Sequence, residues 1–211
     1  MRIKYNAPTV LTFTLICALV LLLSRTLIPG LVEHWFMVPG KGNFRFSSDW
    51  IKILTHVIGH ADWNHLIGNF TIILIIGPML EENYGSSSLL IMIFITAFAT
   101  GLLNVLLFQS YLLGASGVVF MMILLSSFTN FSKGEIPLTF ILVMILYMGV
   151  QILESLKADN ISQFAHIVGG LCGSFFGFLS TNGGSQRGNK RTGGSAENAY
   201  TQAKFPAQRR Q

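Results

Sequence analysis

Apolar residues along this chain gather into six long runs separated by polar stretches. The runs fall at about 8–28, 63–80, 88–108, 113–131, 136–156 and 161–180. Each approaches the roughly 20 residues that a helix needs to cross a bilayer. Hydrocarbon offers the backbone no hydrogen-bond partners, so a single spanning segment must be helical. The pattern predicts an all-α membrane protein, a six-transmembrane-helix bundle occupying residues 8–180. The first run exceeds the roughly 7–15 apolar residues of a signal peptide and no A-x-A site follows it, so it reads as a retained helix.

Composition supports this reading. The chain is 51% hydrophobic and 11% charged, against about 25% charged in soluble domains. Residues 1–7 form a short polar N-terminus, and 181–211 form a tail rich in Gly, Asn, Gln and Ser. That tail holds Arg187, Lys190, Arg191, Lys204, Arg209 and Arg210 against Glu197. Its composition predicts disorder, with basic residues suited to anionic headgroups. No aromatic-interleaved basic motif points to nucleic acid. Lys and Arg are more numerous at the two termini and around Lys133 than in the opposite loops, so the positive-inside rule predicts both termini in the cytoplasm.

The first outer loop, about 29–62, carries Trp35, Phe36, Phe44, Phe46 and Trp50 among polar residues. Such a loop suits the membrane interface, with aromatic rings at headgroup level. Cys17 and Cys172 lie inside apolar runs and read as small packing residues. His56 and His60 read as polar residues at the membrane boundary. No HExxH or cysteine pair accompanies them, so neither a metal site nor a cofactor is expected.

Polar residues within spans are costly and point to function. The sequence places four there: His65 and Asn69 in span two, Ser116 in span four and His166 in span six. With the N-terminus inside, spans two, four and six all start at the outer face. At 1.5 Å per residue the four lie roughly 3–9 Å below that boundary, in one shallow layer. His65 and Asn69 are four apart and share a helix face. His166 lies on the face of Gly169, Gly173 and Gly177, whose small residues allow close helix approach. Ser116 lies between Gly114 and Gly117 without bulky neighbours. A serine becomes a useful nucleophile when a base takes its proton, and a neutral histidine suits that task. The pattern predicts a Ser116–His166 dyad. The Ser116 N–H, Asn69 and His65 are its candidate oxyanion donors.

These residues resemble the rhomboid family over roughly Trp50 to Gly177. HADWNHLIGN resembles its second-helix motif, and GPMLEENYG the turn that follows, with Gly77, Glu81 and Gly85. GASGVVF resembles its nucleophile motif and AHIVGGLCG its sixth-helix motif. The resemblance implies an intramembrane serine endopeptidase acting on transmembrane protein substrates, in the compact arrangement of prokaryotic cell membranes. It assigns Ser116 and His166 to catalysis, and His65 and Asn69 to the oxyanion. Gly114, Gly117, Phe120, Gly169 and Gly173 would support them by packing. Where the family often has tyrosine, four residues after the serine, this chain has Phe120. Where it often has a Trp-Arg pair, Ile51 follows Trp50. Two rival classes are a catalytically inactive relative that binds membrane clients and a small transporter. The intact dyad argues against the first. The lack of internal repeats and broken spans argues against the second.

Overall fold

The computed structural model describes residues 4–43, 47–128, 138–143, 145–146 and 161–183. Among these the regular structure is helical: α1 Pro8–Thr26, α2 Leu31–Trp35, α3 Asp49–Thr55, α4 Trp63–Tyr84, α5 Ser86–Leu107, α6 Ser116–Ser126, α7 Leu138–Val143 and α8 Ile161–Gly183. Most of the fifth predicted span, the loop around Lys133 and the tail from 184 onward lie outside the described residues, as do Phe44 and Phe46.

Among the described residues three helices, α1, α4 and α5, are long and apolar enough to cross a membrane. Their outer faces carry large exposed apolar side chains, among them Leu15 and Leu19 on α1 and Ile91, Phe94 and Phe98 on α5. α8 adds Leu171, Phe175 and Leu179. A soluble protein rarely exposes so much contiguous apolar surface. The chain is a multi-pass integral membrane protein.

α6 is different. At 11 residues it is about 16 Å long, well short of the bilayer core. Every residue from Gly117 to Leu125 is buried, as expected of a helix apolar all round its circumference. α4, α5 and α8 surround it, and α8 packs along it most extensively. The described core is thus built around the helix that carries Ser116.

The fourth apolar run does not begin as a helix near Leu113. Leu112 instead exchanges two backbone hydrogen bonds with Val38, both 3.0 Å, and Gly114 turns the chain at φ +113°. A Cβ is strained there, so glycine permits the turn. Helix α6 therefore starts at Ser116 itself.

The first loop also departs from expectation. Trp35 and Trp50 are exposed, which suits an interfacial loop, but one face of α3 and the segment after it are buried against the helices. Ile53 backbone atoms press on Gly101 of α5 so closely that a Cβ at Gly101 would collide with them. The Cys17 thiol, midway along α1, points at the Val57 carbonyl. His56 and His60 are each 1% exposed. They are buried hydrogen-bonded residues rather than boundary residues.

Glu81 anchors the other end of the fold. Its two carboxylate oxygens accept the backbone N–H groups of Thr9 and Val10, at 2.8 and 3.0 Å. These are among the first N–H groups of α1, which have no partner within their own helix. A carboxylate also suits the positive end of the helix dipole. Gly77, one turn earlier, lets Val10 approach: a Cβ there would lie 2.8 Å from the valine. Gly85 then joins α4 to α5 at φ 84°, ψ 151°, a region open essentially to glycine alone.

Candidate active site

Local capping places His65. Asp62 precedes α4 in extended conformation, and its carboxylate accepts the His65 backbone N–H at 2.8 Å. This bond holds the Asp62 carboxyl below the usual carboxylate range. It also fixes the first turn of α4, from which the His65 side chain projects. That ring lies against the turn before Ser116. A Cβ on Gly114 would sit 2.5 and 2.6 Å from its Cε1 and Nε2. A side chain here would push the His65 ring aside as well as strain φ.

Ser116 is the first residue of α6 and is half-buried. The first intrahelical bond runs from Val119 N–H to the Ala115 carbonyl. The N–H groups of Ser116, Gly117 and Val118 therefore have no acceptor one turn back, the ordinary condition of a helix start. They form a local patch of positive potential at the serine.

His166 reaches the same end of the molecule through the α6–α8 seam. A Cβ on Gly117 would lie 3.2 Å from the Ala165 carbonyl oxygen. Gly169 faces the Gly117 carbonyl and Gly173 the Met121 carbonyl, each so closely that a Cβ would collide with backbone. Gly169 and Gly173 are four apart and Gly169 is three from His166, so all three share one face of α8. The seam juxtaposes Gly117 and Ala165, which flank Ser116 and His166. The His166 ring stacks on Phe120, with centroids 4.2 Å apart and planes 10° from parallel. Stacking of this kind restricts an aromatic ring to one orientation.

Asn69 lies one turn below His65 on α4 and is buried. Its amide nitrogen is 3.1 Å from His60 Nε2, while His60 Nδ1 is 3.2 Å from the Ile58 carbonyl. A carbonyl only accepts, so Nδ1 carries the proton and Nε2 accepts from Asn69. The His60 ring also contacts those of His65 and Phe70, with centroids 5.1 and 5.5 Å away. Burial pushes His60 down to about 4, with the nearby His65 adding to the effect.

His56 links loop and site by its backbone. Its carbonyl accepts the Gly114 N–H at 3.0 Å. Its ring donates from Nδ1 to the Ile53 carbonyl at 3.0 Å, and Nε2 faces the Thr100 hydroxyl at 3.2 Å. The sequence offered the spacing of His56, His60 and His65, but no sign that the loop carrying two of them would be buried. Asn104 is a further buried polar residue, outside the four that the sequence singles out. It is 1% exposed and donates to the Ser110 carbonyl at 3.0 Å, tying down the segment that leads to Ser116. Among the described residues no three His, Cys, Asp or Glu side chains gather as metal ligands.

Comparison with known proteins adds an independent line. The family profile of the rhomboid domain matches residues 47–182. A curated relative, rhomboid-like protein 11, chloroplastic, from Arabidopsis thaliana, is 25% identical over 162 residues, 68% of this chain and 58% of that protein. Rhomboid protease GlpG from Haemophilus influenzae is 23% identical over 133 residues, 62% of this chain and 69% of that protein. The chain thus spans under two thirds of the length of the first relative. The profile match extends over well over half of the present sequence, and the chain belongs to the rhomboid family.

Proposed function

We propose that this protein is an intramembrane serine endopeptidase that uses a Ser116–His166 dyad to hydrolyse peptide bonds in or near transmembrane segments of membrane-protein substrates. The supporting observation is the glycine seam, which sets the start of α6 against α8 beside His166. In this reading His166 takes the Ser116 proton as the hydroxyl attacks the scissile carbonyl. Charge then develops on the carbonyl oxygen and needs donors already in place. The Ser116 N–H, the His65 ring and the Asn69 amide supply them. Asn69 has two amide hydrogens, so the bond to His60 leaves one for the oxyanion. His166 then returns the proton to the leaving amine, and water hydrolyses the acyl-enzyme. We further assign six spans, with both termini on the side richer in Lys and Arg, as the positive-inside rule requires. The site then opens toward the opposite face, where water is near.

One observation favours a second reading, a client-binding relative without catalysis: Phe120 brings no hydroxyl to the His166 ring. A fluorophosphonate serine probe separates the two. Detergent-purified protein should label, whereas Ser116→Ala and His166→Ala should not. A folded wild type that never labels would overturn the protease assignment in favour of the second reading.

A further inference from the structure

α1 leans on α4 more than on α5, and the divergence leaves an apolar crevice of about 380 Å³ between α1, the first loop and α5. Phe13 and Ile16 line one wall and Leu90 and Phe94 the other. Ile16, Leu90 and Phe94 are also exposed on the lipid-facing surface, so the crevice opens sideways toward the bilayer. Its volume falls within the roughly 300–1,000 Å³ usual for ligand sites.

The depth of the crevice identifies its occupant. One end lies at Pro8 and Ser86, the first residues of α1 and α5. The other end is roofed by Val57 and Ile58 of the descending loop. Val57 is level with Cys17, the tenth of the 19 residues of α1. From Pro8 to Cys17 a helix rises about 14 Å, close to half of the ~30 Å hydrocarbon core. The crevice is therefore one leaflet deep and stops at the midplane. A helix crossing the whole bilayer would run into the loop, whereas an acyl chain of one leaflet ends there. Before Pro8 the chain turns back along α1, where the Tyr5 hydroxyl meets that of Thr12, a lining residue, at 2.9 Å; the adjoining Lys4 is exposed and complements an anionic headgroup.

We propose that this crevice binds one phospholipid from the leaflet on the N-terminal side, with an acyl chain between α1 and α5 beneath the loop and the headgroup beside Lys4. An unfilled cleft would forfeit dispersion contacts along its whole lining. The lipid would thus act as a wedge that supports the loop from below.

Native mass spectrometry tests this. Protein reconstituted in phosphatidylglycerol vesicles and then released into mild detergent should retain one phosphatidylglycerol. Leu90→Trp should fill the crevice. Ile91→Trp, on the same helix but outside the lining, serves as the control, and circular dichroism checks that each variant folds. Each buried methylene counts for about fourfold in an equilibrium constant, so even a partial block should cut retention by about tenfold. Ala97→Leu provides a second, smaller block if Leu90→Trp fails to fold. A wild type that retains no lipid, or blocked variants that retain as much as Ile91→Trp, would overturn the proposal. A lipid-free dimer that Leu90→Trp converts to monomer would overturn it too, assigning the face to a second copy.

Discussion

Asn69 and His60 are joined by a single hydrogen bond, and that bond separates what each contributes. If Asn69 donates to the oxyanion, Asn69→Ala should lower kcat by about 10²–10³ while leaving probe access intact, as loss of one such donor does in serine enzymes. A kcat equal to wild type in a peptide-cleavage assay would remove Asn69 from the site. His60 has a different part: its Nε2 fixes where the Asn69 amide points. His60→Ala should therefore lower kcat by about tenfold through misplacement rather than loss of a donor. The double variant should then be no slower than Asn69→Ala alone, because the bond being broken no longer matters. An additive loss would show that His60 acts by another route. His60 is not singled out by the sequence as the other four are. Ser116, His65, Asn69 and His166 stood out because a polar residue in an apolar run is costly wherever the run goes. His60 lies in a polar stretch, where a histidine is unremarkable until the loop is seen to be buried.

The α6–α8 and α3–α5 contacts are set by backbone meeting backbone. At Gly169 and Gly173 the atoms opposite are carbonyl groups of α6, which cannot rotate away as a side chain can. Gly169→Ala should force α6 and α8 apart and cost about 1–3 kcal/mol. It should also lower fluorophosphonate labelling sharply, since the seam sets His166 against the start of α6. Gly68, in the second turn of α4, has nothing within 4 Å of its would-be Cβ. Gly68→Ala should leave the melting temperature unchanged or raise it, because alanine stabilises a helix by roughly 0.5–1 kcal/mol over glycine. Equal melting temperatures for the two variants would contradict the packing argument. Glu81 gives a third test at this scale. Glu81→Ala leaves the Thr9 and Val10 N–H groups without their acceptor and should cost about 0.5–2 kcal/mol, as lost N-caps do, read by thermal unfolding in detergent. The glycine spacing on α8 was legible in the sequence because small residues at intervals of three and four mark a packing face. The start of α6 was not. Leu113 is as apolar as the residues that follow, and only the Val38–Leu112 pairing and the turn at Gly114 keep it out of the helix.

Across the whole molecule, the first loop acts as a wedge that joins α1, α4, α5 and the start of α6. It ties α1 through Cys17 and Val57, α5 through Ile53 and Gly101, α4 through His60 and Asn69, and the Ser116 turn through His56 and Gly114. Hydropathy alone could not show this, because the descent is set by what the loop meets and not by its own polarity. The arrangement makes global stability depend on the charge state of a loop residue. His60 binds through Nδ1–H and an accepting Nε2, which only the neutral ring provides. Burial pushes it down to about 4, against about 6.5 for an unperturbed histidine. Between those values the unfolded chain binds the proton and the folded one does not, so stability falls as pH drops from about 6.5 toward 4. Asp62 works in the same direction lower in pH: its carboxyl is held down by the His65 N–H, and this contribution is lost as acid protonates it. The His60 shift corresponds to a loss on the order of 2–3 kcal/mol across that window. Thermal unfolding in detergent should show a melting temperature several degrees lower at pH 5 than at pH 7.5. His60→Gln removes the titrating group, so this variant should melt lower at pH 7.5 but show a flatter pH dependence. If it keeps the full wild-type slope, the acid sensitivity arises elsewhere, and the loop's hold on the spans does not depend on a neutral His60.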